Sequence, residues 1–215
     1  MFKMVILFCS VAVSLAISNP LQAMQLNESG PVNTGNVNSF KDSSLPESII
    51  YISKTGRWYS KGNISGLAEI SVKLVSNGKV IEEVFAVSGR QGKQNFRIEK
   101  YSMSGSREPA PEMVYSIPEG PVDVPTYHRN YGALGPWWIW IDFESSSSKA
   151  PRQFIGLHTD FDSKYEGKGG TLGCIATHNV TDIRKIVSWF RGHFSVQPPK
   201  NVIVDWGKGT VSAPL

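Results

Sequence analysis

The chain has 215 residues, of which 40% are hydrophobic and 11% aromatic, enough for one domain with a real core or a domain plus a tail. Its formal charge of +4 comes without a run of lysine or arginine, and the aromatics are not interleaved with basic residues. That excludes a nucleic-acid-binding reading, and so mild a charge suits an anionic envelope polymer only weakly.

Residues 1–23 have the layout of a secretory signal peptide. Lys3 supplies a short basic start, Met4 to Ile17 is almost wholly apolar, and Leu21-Gln22-Ala23 offers a small residue before a cut. The apolar run is short for a membrane span, so no stable membrane insertion is expected after cleavage; an uncleaved anchor is the alternative. Cleavage after Ala23 removes Lys3 and no acidic residue, which takes the charge from +4 to +3, and Cys9 leaves with the signal. Residues 24–47 are polar, rich in Asn, Ser and Gly, and read as a flexible tether.

Order is expected from residue 48. Ser48-Ile49-Ile50-Tyr51-Ile52 is a short β-prone run, and Ala68 to Val75 alternates apolar and polar residues at period two. Ser76-Asn77-Gly78-Lys79 is a tight-turn signal and Val80 to Ser88 resumes as a strand, so the two runs predict a β-hairpin. Gly89 to Gly92 follows as a loop, residues 102–112 are loop-like, and Met113 to Pro125 mixes short extended pieces with turns. Trp137 to Phe143 has large residues on both alternating faces and predicts a strand buried on both sides. Ser145 to Lys149 is a polar loop tip, and Arg152 to His158 returns as a strand, with His158 where strand gives way to loop.

One segment reads as helix. Asn179 or Thr181 caps it, Asp182 suits the positive end of the dipole, Ile183, Ile186, Val187 and Phe190 fall on one face, and Gly192 ends it. Asn201 to Trp206 is a final strand. The class is mainly β with one principal helix, in a domain spanning residues 48–208 with a tail at 209–215.

The candidate chemistry lies between His158 and Ile175. Cys174 is the one cysteine expected in the mature chain, so it forms no internal disulfide, and in a secreted protein a single retained thiol is easier to explain by use than by packing. A thiol becomes a good nucleophile as its thiolate, and a neighbouring imidazole is the usual means of making one. His158, 16 residues earlier, is the expected base; His178, four residues later, is the fallback. Asp160 is either a solvated loop carboxylate or the group that orients His158. Gly173 before the nucleophile lets the backbone come close, and N–H groups at Gly173 and Cys174 are candidate oxyanion donors. A buried, inert cysteine is the plain alternative. His128, His178 and His193 otherwise read as surface or capping residues, the tryptophans of 137–140 as core, and Arg90 and Tyr115 as possible groove lining.

Leu157-His158-Thr159-Asp160 followed by Thr171-Leu172-Gly173-Cys174-Ile175 resembles the signature of the L,D-transpeptidase catalytic-domain family. That signature pairs a strand-ending histidine with a cysteine in a Ser/Thr-x-Gly-Cys segment. Leu74 to Val80 with Ala86 to Arg90 looks like the family's opening hairpin and following glycine, and Ser116 to Pro121 like its Pro-x-Gly turn. The resemblance covers roughly Ile49 to Trp206. It implies a β-sandwich with the catalytic cysteine in a groove beneath a flap, and peptidoglycan stem peptides as substrate, in the periplasm or outside the cell. It further implies Cys174, His158 and Gly173 in catalysis and Thr171, Leu172 and Asp160 at the substrate, with no cofactor and no metal. Two positions depart from the pattern: Leu172 stands where many members have histidine, and Ala176 where they have arginine. Transpeptidation, exchange of a D-amino acid and hydrolysis to a shortened stem all stay open. The non-enzymatic alternative is an envelope-binding or inhibitory module on the same fold. A metal-dependent peptidase built on His158, Asp160 and His178 is disfavoured, because the sequence has no His-x-x-x-His or His-x-His pair.

Overall fold

The computed structural model describes residues 45–98, 101, 106–127, 134–143, 155–160 and 169–214. The expected signal peptide, most of the tether, the Ser145–Lys149 tip, Arg152 to Phe154 and His128 lie outside the described residues.

Nine strands, one α-helix and a short 3-10 helix (Gly62–Ile64) make up the regular structure among the described residues. The strands are β1 (Ile49–Trp58), β2 (Ala68–Ser76), β3 (Lys79–Arg90), β4 (Met113–Ser116), β5 (Val122–Asp123), β6 (Trp137–Phe143), β7 (Ile155–Thr159), β8 (Gly170–Thr177) and β9 (Asn201–Asp205). The helix α1 (Val180–Trp189) lies between β8 and β9. No helix among the described residues is long and apolar enough to cross a membrane. The strands hydrogen-bond in the order β4-β9-β1-β2-β3-β8-β7-β6-β5, and β4 also pairs with β6, Tyr115 opposite Phe143. The expected β-sandwich is thus built as one sheet that closes on itself and leaves few open edges.

The predicted hairpin forms as expected. Ser76 pairs with Lys79, and Asn77 and Gly78 between them have φ of 49° and 70°, the double left-handed geometry of a type I′ turn. β1 runs well beyond the expected Ile52. Ser53 and Lys54 pair with Ser71 and Ile70, and after an irregularity at positive-φ Gly56, Trp58 pairs with Ala68. β2 as a pairing template overrides the weak β preference of this polar stretch. β3 likewise continues to Arg90, so the loop expected at Gly89 shortens to Gln91 and Gly92.

The closed sheet surrounds one core. Ile50 and Ile52, then Ile70, Val72 and Leu74, and Ile139, Leu157, Ile175, Val202 and Val204 point into it from their strands. The helix covers it with Ile183, Ile186, Val187 and Trp189, side chains that contribute on the order of 1.5–3 kcal/mol each when fully buried. Asn179 is the N-cap: its Oδ1 accepts from the Asp182 N–H at 2.9 Å. The helix stops at Trp189, earlier than the expected Gly192, and Trp189 Nε1 donates to Glu82 at 2.8 Å.

Glu112 ties the C-terminal segment down. Its buried carboxylate accepts the N–H groups of Trp206, Lys208 and Thr210 at 2.7, 2.8 and 2.9 Å and the Thr210 hydroxyl at 2.7 Å, so the ordered fold reaches beyond residue 208. Burial pushes its pKa up; the Thr210 hydroxyl and the three backbone donors outweigh that, and the net shift is downward. A folded-state pKa below the unfolded one stabilises the fold above the ordinary carboxylate range, and that contribution is lost as pH falls through the folded value. Glu112→Gln, which turns an NH₂ toward donors, is expected to cost on the order of 3 kcal/mol near neutral pH. Thermal melts should show the variant less stable there and the difference shrinking in acid.

Candidate active site

Cys174 is carried by a large irregularity in β8. From Thr177 to Ile175 the strand pairs regularly with Ala86 to Ser88 of β3, but the next pair is Arg90 with Gly170. Two steps along β3 are matched by five along β8, so Thr171-Leu172-Gly173-Cys174 bulges from the ladder. Glycine makes this possible at two places. Gly173 has φ of 129°, and Gly170, at φ 103°, lies so close to β3 that a Cβ there would sit 2.2 Å from the Gly89 carbonyl oxygen.

Two hydroxyls hold the bulge. Thr171 Oγ1 accepts the Gly89 and Gly173 N–H groups, each at 3.1 Å, and donates to the Cys174 carbonyl at 2.7 Å. Ser88, fully buried, donates to the Gly173 carbonyl at 3.2 Å and accepts the Ala110 N–H at 3.0 Å. Thr171, expected at the substrate, is 6% exposed, and its hydroxyl serves three backbone groups. Gly173, expected to supply an oxyanion donor, has its N–H on that same hydroxyl. Thr171→Val leaves two buried N–H groups without their acceptor and is expected to cost about 2–4 kcal/mol, while Thr171→Ser keeps most of the stability; denaturant midpoints of the two variants check this.

Cys174 is half-buried and in no disulfide. It precedes Ile175, the last residue of the regular ladder, which points into the core, and strand alternation carried one residue further assigns Cys174 to the outer face of the sheet. β7 runs parallel to β8 with His158 opposite Ala176, which puts His158 on that same outer face. In a regular parallel ladder, strands roughly 4.8 Å apart and an offset of two residues correspond to a Cα separation of about 8 Å. Asp160 follows the end of β7, half-buried, its N–H on the Thr177 carbonyl at 3.2 Å. Leu172 stands on the bulge with 66% of its surface exposed.

The fallback base fares differently. In an extended strand four residues span about 13 Å, so His178, just past the end of β8, lies far from Cys174 although it is near in sequence. Its ring meets Tyr59 edge-on at 4.4 Å. Burial lowers its pKa, against opposing pulls from Asp182 and Glu69, so it stays neutral near pH 7. Tyr115 is not groove lining: it is fully buried and its hydroxyl donates to the Pro111 carbonyl at 2.8 Å. His193 is exposed, and Arg90 is half-buried with its N–H on the Arg107 carbonyl at 2.8 Å.

Ala176 explains one departure noted in the sequence. It is fully buried in a small cluster with Leu67 and Val87, against which Tyr59 and Ile64 pack. An arginine side chain has no room there. Sequence reasoning also missed Trp138 as a neighbour of the site. Its indole stacks on the His158 ring, centroids 5.2 Å apart and planes 23° from parallel. Gly156 permits this, because a Cβ there would come 2.5 Å from the indole. A glycine inside an apolar strand signals such a close approach, and Gly156 was the available clue.

No protein-family model matches the chain, and no curated protein matches it. Among solved structures it is similar to an L,D-transpeptidase (Yku) from Stackebrandtia nassauensis, at 16% identity and a TM-score of 0.40. The match covers 81% of this chain and 64% of that one, so the chain spans less than two thirds of the length of that protein.

Proposed function

We propose that this protein is a cysteine acyltransferase or hydrolase of the cell envelope acting on peptidoglycan stem peptides, with Cys174 as nucleophile and His158 as base. The observation that carries the reading is the shared outer face of Cys174, raised on its bulge, and His158 on the adjoining parallel strand. The Thr-x-Gly-Cys context supports it. The Cys174 thiolate attacks the carbonyl carbon of the diamino acid that precedes the terminal D-Ala of a tetrapeptide stem. A C–S bond forms, the C–N bond breaks, and the D-Ala amine leaves with the proton held by His158. An amine or water then attacks the thioester and gives up a proton to His158, the C–S bond breaks, and Cys174 leaves as the thiolate beside the protonated His158. An amine acceptor yields a cross-link or an exchanged D-amino acid; water yields a tripeptide stem.

Backbone N–H groups of the bulge meet the developing oxyanion. Gly173 contributes its N–H by leaving Thr171 Oγ1, or contributes only the curvature that brings the Cys174 amide close. Leu172 and Asp160 are the proposed substrate contacts, and with Ala176 buried the substrate carboxylate must be met by another group. The test is to incubate the mature protein with tetrapeptide-stem muropeptides, with and without free D-amino acids, and to read masses. Loss or replacement of terminal D-Ala supports the reading. Intact stems and no thioester adduct overturn it and favour a module that binds the envelope without turnover.

A further inference from the structure

His158 is only 5% exposed, and burial by itself disfavours an imidazolium. A cysteine–histidine pair that works as thiolate and imidazolium therefore needs something else to favour the charged ring. Trp138 offers its face to that ring in near-parallel stacking at 5.2 Å, inside the roughly 6 Å within which an indole attracts a cation. The contact is fixed from both sides. Trp138 is 7% exposed and meets Trp140 edge-on at 5.0 Å, and the missing Cβ of Gly156 gives the indole its place against β7. Trp138 Nε1 is buried and makes no hydrogen bond among the described residues, so packing rather than a polar partner sets the ring.

We propose that Trp138 is a positioning residue: its indole face fixes the plane of His158 and favours the imidazolium, so that Cys174 holds its thiolate near neutral pH. This rests on the reading of Cys174 and His158 as nucleophile and base. The ionisable groups that strand register, sequence and packing bring toward His158 among the described residues include Cys174 on β8, Asp160 two residues on along the chain, and, beyond Ala176, His178 with Tyr59 against it. Cys174 as thiolate and Asp160 as carboxylate act in the same direction as the indole, while neutral His178 adds no charge.

The test is the pH dependence of Cys174 alkylation by iodoacetamide, read by mass spectrometry on the full chain so that Cys9 is resolved separately. The wild type, His158→Ala, Trp138→Leu and Trp138→Phe are compared, each checked for a cooperative melt. The expected wild-type midpoint lies below that of an ordinary thiol, and His158→Ala returns it to the ordinary range. Trp138→Leu is expected to raise the midpoint by about one pH unit, a roughly tenfold loss of thiolate at neutral pH, and Trp138→Phe to restore most of it. Trp138→Met, which fills the space without an aromatic face, replaces the leucine variant if that one fails to fold. A folded leucine or methionine variant with the wild-type midpoint overturns the proposal for Trp138. A wild-type midpoint equal to that of His158→Ala overturns the cysteine–histidine pair itself, which keeps the two failures distinct.

Discussion

Cys174→Ala is expected to leave the protein folded and to abolish the proposed removal of D-Ala from tetrapeptide stems. The thiol is half-buried on a bulge outside the main core, so its loss opens no large cavity, and melting should change little. Turnover under the proposed mechanism has no other nucleophile, so the rate should fall by at least about 1,000-fold, with no thioester adduct detected by mass. His158→Ala should cost roughly 100- to 10,000-fold, because a general base is lost while the thiol remains. The double variant should be no slower than Cys174→Ala alone, since the two groups act as one unit. His178→Ala should keep near wild-type turnover, as befits a ring about 13 Å along the strand from the sulfur. Strong loss in His178→Ala with little loss in His158→Ala would reverse the assignment of the base.

Gly170→Ala is expected to be the most damaging single methyl addition near the site. Its Cβ would lie 2.2 Å from the Gly89 carbonyl oxygen, a backbone atom that cannot swing aside, and the residue sits at φ 103°. The strained backbone and the overpacking together cost on the order of 3 kcal/mol or more, or roughly 6–12 °C in melting temperature for a domain of this size. Gly92→Ala is the matched control: it too has positive φ, 74°, but a Cβ there meets nothing within 4 Å. Its cost should be near 1 kcal/mol, from backbone strain alone. Similar melting losses for the two would show that conformation rather than close approach governs Gly170. Because Gly170 opens the bulge, the alanine variant should also change how readily Cys174 is alkylated, whereas Gly92→Ala should not.

The bulge resolves a conflict between two demands on β8. Ile175 and Thr177 must stay in the ladder for the core to close, while Cys174, in the proposed role of nucleophile, has to leave the plane of the sheet. Inserting residues into one strand separates the two requirements, and the hydroxyls of Thr171 and Ser88 occupy the backbone groups that the insertion would otherwise leave unpaired. The same geometry fixes what the site lacks. Ala176 is back in the regular ladder opposite Val87 and buried under Leu67, so a long cationic side chain cannot be presented from that position.

Features written in short stretches of sequence were legible without any structure. The Asn77-Gly78 turn between alternating runs, the Asn179 cap before a periodic apolar face, and Cys174 in its Thr-x-Gly-Cys setting each depend on residues within a few positions of one another. Local sterics, side-chain alternation and helical periodicity are properties of neighbouring residues, and so the sequence by itself determined them. Tertiary structure decided the rest. Which histidine shares a face with Cys174 depends on β7 lying parallel to β8 in one register, and that pairing joins residues 18 positions apart. In sequence His178 looks nearer; a strand's rise of about 3.3 Å per residue carries it away, while a sheet spacing of about 4.8 Å brings β7 alongside. The long run of β1, the closure of β4 on β6, the bulge at 171–174 and the Trp138 stack likewise come from backbone pairing and side-chain packing across the sheet. No local pattern specifies such contacts, because their free energy exists only once distant segments have met.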